Sequence, residues 1–549
     1  MNQPADLPDH GGTAAIAAAA QAGVDTLWTL SGAHIFPLYD AATRSQHRMR
    51  ILDVRHEQTA VFGAEGQAKL TRRPGLAALT AGPGVTNGVS AIATSWFNGS
   101  PVVVVGGRAP QFRWGSGALQ ELDHPPILRE VTKLATTVAQ PELIGPEVAA
   151  AFQLATSPHR GPVFLDVPMD HLYTPVPVQP IQIAHAPASP APPEALERAA
   201  RLWAAAERPL LILGSDVWTA GAEAVALELA EHTGTPTITN GMGRGVIPGG
   251  HPLLATRSRA TAVKNADVVV VVGTPLDFRL GYGSFGSKQS PAAVVHIVDD
   301  ESQLAEHTEA VGLVGDLAAT LKALVGLCPG KQEAETDEWR QQLRGAAAER
   351  AAADEQLLRA DSDPIHPGRI YGELLDRMTA ETVVIGDGGD FVSFAGRFIE
   401  PAAPGRWLDP GPYGCLGTGL GYAAAARLTY PDDPIVLLLG DGAAGFSLMD
   451  VDTLVRHDLP VVLVVGNNGA WGLEKHPMQM LYGYDVAADL QPATRYDEVV
   501  RALGGGGETV TSPEQIGPAL DRAFAARVPY LVNVITDPTV AYPRSTTGI

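Results

Sequence analysis

Short runs of aliphatic and β-branched residues recur along the chain, and each run ends at a turn rich in glycine or proline. In the first third of the chain the runs are LAALTAGPGVTNG, PVVVVGG and GPVFLDVP. Apolar runs of this length are typical of parallel strands that are buried on both faces of a sheet. Alanine-rich helical stretches separate the runs, so the pattern predicts α/β units.

Two further units repeat this alternation. The middle unit contains RPLLILGSD, ADVVVVVGTPLDF and AAVVHIVDDE, and the last contains TVVIGDGGD, PIVLLLGDGAAGF, PVVLVVGNNG and PYLVNVITD. A proline-rich stretch at 173–195 indicates an extended linker. A chain of 549 residues is long enough for about three domains. We therefore predict three doubly wound α/β domains with parallel sheets, at 10–175, 196–330 and 360–540.

Composition narrows the possible partners. The chain has 39 Lys and Arg against 60 Asp and Glu, a net charge of −21, which argues against a nucleic-acid or anionic membrane surface. Two cysteines, Cys328 and Cys415, are too few for a disulfide framework and fit a reducing cytoplasm. The N-terminus lacks the basic start of a signal peptide, and the alanine-rich stretch at 13–24 is too short to span a bilayer.

Two successive strands of the third unit end in polar turns. The first turn is Gly440-Asp441-Gly442 and the second contains Asn468. Asp441, the Asn468 amide oxygen and the Ala470 carbonyl would supply half of an octahedral Mg²⁺ site, and the two glycines would let the backbone approach a diphosphate. Each turn alone is ordinary. Together, 27 positions apart, they are a strong signal for a metal-bound diphosphate.

These paired turns resemble those of thiamine-diphosphate enzymes of the pyruvate decarboxylase and acetolactate synthase superfamily, and the resemblance covers nearly the whole chain. It implies a pyrimidine-binding domain, a middle domain and a diphosphate-binding domain. It also implies thiamine diphosphate and Mg²⁺ as cofactors. The two halves of the cofactor would be held by different subunits, so a homodimer or homotetramer is implied.

Glu57 opens the mostly apolar stretch EQTAVFGAEG. Burial raises the proton affinity of a carboxyl group unless a partner compensates. The resemblance assigns Glu57 to N1′ of the aminopyrimidine, where a shared proton generates the 4′-imino base. The alternative is a carboxylate that only favours the N-terminal end of a helix dipole.

Other positions match the cofactor site of the same family. The carbonyl of Gly414 would take the 4′-amino proton, and Leu416 would bend the cofactor. Asp390 stands where relatives often carry a neutral amide, and a carboxylate beside a diphosphate has to be paired or turned away. The remaining expected contacts are Ala33, Thr80, Gly82, Asn87, Phe391, Ala443, Trp471, Gly472 and Leu473.

Three residues bear on the reaction. The segment GAHI with His34 resembles benzaldehyde lyase and the 2-hydroxyacyl-CoA lyases, and a histidine suits proton removal from a hydroxyl group. Gln120 matches the family glutamine that binds adduct oxygens. Glu474 falls where pyruvate decarboxylases carry an active-site glutamate. Each also has a plain structural explanation: a structural histidine, a solvated loop glutamine and an exposed helix glutamate beside Lys475.

The middle unit carries the loop RSRA, which resembles 2-hydroxyacyl-CoA lyase and oxalyl-CoA decarboxylase. Those relatives bind an ADP moiety in this domain, whereas acetolactate synthases hold FAD there. Arg257 and Arg259 could pair with phosphates, and Asp299 is a further candidate contact. A solvated basic turn explains the arginines about as well.

The leading hypothesis from the sequence is a carbon–carbon lyase that splits a 2-hydroxyacyl-CoA into formyl-CoA and an aldehyde or ketone. His34, Gln120, Glu57 and Glu474 would be its catalytic residues. The alternative is acetolactate synthase, which condenses two 2-oxo acids. A non-catalytic nucleotide sensor with the same fold is a third possibility, against which the intact Glu57, Asp441 and Asn468 argue.

Overall fold

Three parallel α/β sheets follow one another along the chain. The computed structural model describes residues 8–44, 49–178, 180, 187–330 and 337–542. Every strand pair within the sheets is parallel. The predicted fold class is therefore confirmed. In the described part of the chain, no helix has both the length and the apolar character needed to cross a membrane.

The first sheet has six strands in the order β2-β1-β3-β4-β6-β5. Its strands are β1 (Thr26–Thr29), β2 (Arg50–Asp53), β3 (Gly75–Leu79), β4 (Val102–Arg108), β5 (Leu134–Thr137) and β6 (Val163–Pro168). The helices are α1 (Gly11–Gln21), α2 (Phe36–Arg44), α3 (Glu57–Thr71), α4 (Pro83–Asn87), α5 (Val89–Phe97), α6 (Pro125–Leu128), α7 (Ile144–Thr156) and α8 (Met169–Tyr173). Strands β3, β4 and β6 are fully buried, as their uninterrupted apolar runs predict.

The second sheet has five strands in the order β11-β10-β9-β7-β8. They are β7 (Pro209–Leu213), β8 (Thr237–Thr239), β9 (Val268–Val272), β10 (Ala293–Val298) and β11 (Ala310–Val314). The helices are α9 (Pro193–Ala205), α10 (Ser215–Thr219), α11 (Glu223–Thr233), α12 (Arg259–Asn265) and α13 (Leu317–Leu327). Helix α9 begins inside the predicted linker, because proline is favoured at the first helical position. Residues 179 and 181–186 of that linker lie outside the described residues.

The third sheet repeats the strand order of the first, as β13-β12-β14-β15-β17-β16. Its strands are β12 (Val383–Asp387), β13 (Trp407–Leu408), β14 (Ile435–Gly440), β15 (Val462–Asn467), β16 (Gly506–Val510) and β17 (Tyr530–Ile535). Its helices are α14 (Asp337–Leu358), α15 (Pro367–Leu375), α16 (Gly389–Phe398), α17 (Gly419–Thr429), α18 (Asp441–Ser447), α19 (Val451–Arg456), α20 (Gly472–Tyr482), α21 (Tyr496–Ala502) and α22 (Pro513–Ala525).

Helices α3 and α17 join the first and third sheets in a shared core. Glu65 of α3 is fully buried and accepts hydrogen bonds from Tyr422 (2.9 Å), Asn98 (2.8 Å) and Ser100 (3.0 Å). The ammonium of Lys69 lies 3.6 Å from the same carboxylate. A buried charge with this many partners is compensated, so the network fixes how the two helices pack. It thereby sets the position of Glu57 at the start of α3.

Candidate active site

A cavity of about 560 Å³ opens at the carboxyl ends of β12, β14 and β15. This is where an open parallel sheet binds its ligands. Most residues predicted to contact the cofactor or the metal line it: Phe391, Gly414, Leu416, Gly440, Asp441, Gly442, Ala443, Asn468, Ala470, Trp471, Gly472 and Leu473. Residues far apart in sequence are therefore brought together as the two turns predicted.

Asp441 is a buried acid in this cavity. Its carboxylate oxygens accept the backbone N–H groups of Gly442 (2.9 Å) and Gly469 (2.7 Å), and the residue is 4% exposed. Burial raises the pKa of Asp441 to about 6, although the backbone donors oppose this. A cation would compensate this charge. Asn468 offers a hard oxygen nearby: its Oδ1 accepts the Ala470 N–H at 3.1 Å and can accept further contacts. This donor set fits Mg²⁺.

Asp387 is a site residue that the sequence pattern did not single out. It ends β12, is fully buried, and accepts the N–H groups of Gly417 and Gly419 at 2.9 Å each. Burial raises its pKa to about 6. These bonds hold the turn that carries Leu416, which packs directly on Gly388: a Cβ added there would lie 1.9 Å from a Leu416 methyl group. The only signal in the sequence is an acidic residue at the end of an apolar run.

Asp390 lines the cavity but is engaged by the C-terminal segment. The backbone N–H of Tyr542 donates to its two oxygens at 3.0 and 3.2 Å. The Tyr542 ring packs edge-to-face on Phe394 at 5.0 Å. The carboxylate is thus paired, as an acid beside a diphosphate has to be. Residues 543–549 lie outside the described residues.

Glu474 is exposed and stands at the rim of the same cavity, in the first turn of α20. The neighbouring Lys475 forms its ion pair with Asp489 and lies 3.9 Å from Asp485. Lys475 is therefore paired with other acids than Glu474, which remains among the residues that line the cavity.

Glu57 lies in a second group of predicted residues, within the first domain. It begins α3, is 7% exposed, and accepts a hydrogen bond of 3.0 Å from the Asn87 side chain. Gly84 lies beside it: an added Cβ would be in ordinary contact with the Glu57 carboxylate, at 3.7 Å, and would crowd the Thr80 methyl group, at 2.7 Å. A buried carboxyl with one neutral side-chain donor suits proton exchange with a ring nitrogen.

His34 and Gln120 lie beside the turn at residues 80–82, and this turn together with Glu57 and Asn87 is called the Glu57 pocket below. The Nδ1 atom of His34 is 3.2 Å from the Thr80 hydroxyl, and burial lowers the pKa of His34. Ala33 precedes it in a short 3₁₀ helix. Gln120 has a φ of 60° and packs on Gly82, where an added Cβ would lie 2.9 Å from the Gln120 Cβ. The loops around residues 34, 82 and 120 therefore form one wall.

The two groups do not share one cavity within a single chain. Among the described residues, those lining the large cavity belong to the second and third domains, with Asn240, Arg244 and Arg279 from the second. The start of α3 instead meets Asp450, which accepts the Arg55 N–H (2.7 Å) and the Thr59 hydroxyl (2.6 Å).

A second cavity, of about 620 Å³, lies between the first and second domains. Arg279 and the 411–412 turn connect it to the first cavity. The candidate nucleotide contacts are engaged by protein groups: Arg257 with Glu400 (3.2 Å), Arg259 with the Asn240 oxygen (3.0 Å) and Asp299 with His159 (2.9 Å). The nucleotide role of these three residues stays a prediction.

Family models agree with this architecture. The N-terminal binding domain of thiamine pyrophosphate enzymes matches 9–127, the central domain 196–324, and the C-terminal binding domain 387–534. The chain belongs to the thiamine pyrophosphate enzyme family. The resemblance inferred from the paired turns is confirmed, and with it the assignment as an enzyme.

Named relatives fall into two groups within this family. The acetolactate synthase large subunit of Mycobacterium tuberculosis and a probable acetolactate synthase of Mycobacterium bovis are each 49% identical over 95% of both chains. The 2-hydroxyacyl-CoA lyase 2 of Homo sapiens is 33% identical over 91% of this chain and 84% of that protein. Both activities considered from the sequence are thus represented among its relatives.

Proposed function

We propose that the protein is a thiamine-diphosphate- and Mg²⁺-dependent carboligase of the acetolactate synthase type, which joins two 2-oxo acids with release of one carbon dioxide. The similarity to the two mycobacterial proteins, which extends over 95% of each chain, carries this proposal. The sequence alone favoured a 2-hydroxyacyl-CoA lyase over acetolactate synthase, and the proposal reverses that order. A homodimer or larger homo-oligomer in the cytoplasm is part of the proposal, with each complete site formed between two chains.

The cations of the large cavity support a substrate that carries a carboxylate. Arg244 donates to the carbonyls of Gly396 and Ile399 and lies over the Trp407 ring. Arg279 lines both cavities, and its guanidinium pairs with the side chain of Asp277. A forked guanidinium at the junction suits the carboxylate of a 2-oxo acid.

Each half of the site has a separate task in this proposal. Thiamine diphosphate, when bound here, would supply the electron sink for carbon–carbon bond chemistry. Asp441, Asn468 and the Ala470 carbonyl would hold Mg²⁺ and, through it, the diphosphate. Glu57, oriented by Asn87, would hold the proton that is exchanged with the pyrimidine N1′. The second cavity would hold FAD.

A 2-hydroxyacyl-CoA lyase is the second candidate. It is favoured by two titratable side chains, His34 and Glu474, where a substrate hydroxyl could lose its proton. In this case the second cavity would take the ADP moiety of coenzyme A.

Product analysis of the purified full-length protein separates the two candidates. The protein is incubated with pyruvate, with pyruvate plus a second 2-oxo acid, and separately with 2-hydroxyacyl-CoA thioesters. We expect acetolactate and a flavin absorbance spectrum. Formyl-CoA and an aldehyde, without acetolactate, would overturn the proposal in favour of the lyase.

Substitution of two separate arginines tests whether the substrate carboxylate binds at the junction of the cavities. Arg279→Gln should raise the KM for pyruvate about tenfold, since one charge-assisted contact is lost. Arg201→Gln, on the exposed face of α9, is the matched control and should leave KM unchanged. Equal KM values for Arg279→Gln and wild type would remove Arg279 from substrate binding.

A further inference from the structure

A fully buried histidine, His124, connects the pyrimidine loop to the core of the first domain. Its Nε2 accepts the backbone N–H of Gly82 at 2.9 Å, and its Nδ1 lies 2.8 Å from Asp166 Oδ1. Both His124 and Asp166 are 0% exposed. Since a backbone N–H can only donate, Nε2 carries no hydrogen and Nδ1 carries the one donated to Asp166. The two contacts therefore select one neutral tautomer.

Asp166 is itself held in place. Arg108 pairs with its second oxygen, and the guanidinium of Arg108 lies over the Trp114 ring at 3.5 Å. The two oxygens of Asp166 are thus divided between Arg108 and His124. Asp166 of β6 and Arg108 of β4 thus set the orientation of the His124 ring.

The hydrogen bond from the Gly82 N–H to His124 fixes a crowded turn. Gly82 has a φ of 61° and packs against Gln120 too closely for any side chain. Thr80, in the same turn, contacts His34. A shift of the Gly82 amide would therefore move Gln120 and His34 together, although His124 lies behind the wall of the Glu57 pocket.

We propose that His124 is a positioning residue for the pyrimidine half of the site. By accepting the Gly82 N–H, it sets the turn at residues 80–82 against Gln120 and so shapes the Glu57 pocket. This inference rests on the proposed function, because only there is the pocket assigned to the aminopyrimidine. Without His124 Nε2, the buried Gly82 N–H has no acceptor, and the turn relaxes.

Two substitutions separate the two hydrogen bonds. His124→Asn keeps a donor near the Nδ1 position for Asp166 but has no atom that reaches Gly82. His124→Gln places an amide oxygen near the Nε2 position and restores the acceptor. His296→Asn is the control, because His296 is also fully buried, in the middle domain, with one hydrogen bond to the Thr274 carbonyl (3.1 Å).

Hydrogen exchange in the cofactor-free, full-length protein gives the first result. The peptide covering 76–88 should exchange about tenfold faster in His124→Asn and return to within about threefold of wild type in His124→Gln. Calorimetry with Mg²⁺ should show the dissociation constant for thiamine diphosphate rising about 10- to 100-fold in His124→Asn only. His296→Asn should change neither quantity.

The inference is overturned if His124→Asn exchanges and binds like wild type, or if both His124 variants and His296→Asn are impaired in proportion to their loss of melting temperature. Failure of the wild type to bind thiamine diphosphate would overturn the proposed function instead. The exchange comparison needs no cofactor, so it would still decide the role of His124.

Discussion

The first and third domains have the same strand order but carry different chemistry at equivalent loops. After β3, the loop contains Thr80, Gly82 and Asn87, and it contributes neutral groups to the Glu57 pocket. After β14, the equivalent loop begins with Asp441, a buried carboxylate held by backbone N–H groups. In the proposed function, one domain presents a carboxyl for proton exchange, and the other presents an acid that holds the cation.

The difference shows how one scaffold serves two tasks. Each loop follows the third strand of its domain in chain order, and the two strands hold the same position in their sheets. The two loops therefore occupy equivalent positions in the two domains. The side chain at the end of the strand then decides the ligand. In the third domain, Asp387 accepts the N–H groups of Gly417 and Gly419 at the start of α17. In the first domain, Glu57 is itself the first residue of α3. The two domains should therefore respond differently to loss of an acid.

The largest effect should come from Glu57→Gln. The amide cannot exchange a proton with the pyrimidine ring, so kcat should fall by about 10²- to 10⁴-fold. Binding of thiamine diphosphate, measured by calorimetry, should stay within about tenfold of wild type, because glutamine keeps the size of the side chain and a hydrogen-bonding group beside the ring. Equal losses in kcat and binding would contradict a division of labour between the domains.

Asp441→Ala should produce the opposite profile. Loss of a metal ligand should weaken binding of Mg²⁺ and thiamine diphosphate about 100-fold, and saturating cofactor should recover part of the turnover. Titrations of Mg²⁺ at fixed thiamine diphosphate measure this effect. Asp432→Ala, at an exposed turn of the same domain, is the control. Unchanged Mg²⁺ affinity in Asp441→Ala would remove the metal site from this cavity.

Mixing the two inactive variants tests whether the halves belong to one chain. If each complete site takes its halves from two chains, a hybrid of Glu57→Gln and Asp441→Ala has one intact site and one doubly defective site. An equal mixture that re-assorts freely should recover about a quarter of wild-type activity. If both halves came from the same chain, no mixture would regain activity. Activity after dilution, mixing and reassembly distinguishes the two outcomes.

Much of this arrangement could be predicted from the sequence, because it is encoded in local patterns. The apolar runs predict the three parallel sheets, and the turns at Asp441 and Asn468 indicate the family, since strand ends of a parallel sheet meet at one edge. Both signals are formed by residues that are close together in the sequence. The meeting of the turns at Asp441 and Asn468 in one cavity can therefore be predicted from the amino-acid sequence alone.

Residues that act through contacts distant in sequence could not be predicted. Asp387 looks like one more acid after a strand, and only the fold brings the amides of Gly417 and Gly419 to it. His124 is one polar residue of a loop in the sequence, and it has a role only when Gly82 and Asp166 lie on either side. The division of the site between two cavities is likewise a tertiary property.

The smallest effect should be the pH dependence contributed by His34. Burial lowers the pKa of His34 below its usual value of 6.5, so the neutral imidazole prevails at pH 7 and is lost only as the pH falls through the lowered pKa. Between pH 7 and pH 6 the wild-type kcat/KM should therefore fall by less than about fourfold through this group. His34→Gln should lack this acidic limb, whereas His232→Gln, in the middle domain, should retain it. An identical acidic limb in His34→Gln would assign the titration to another group and leave His34 as a structural contact to Thr80.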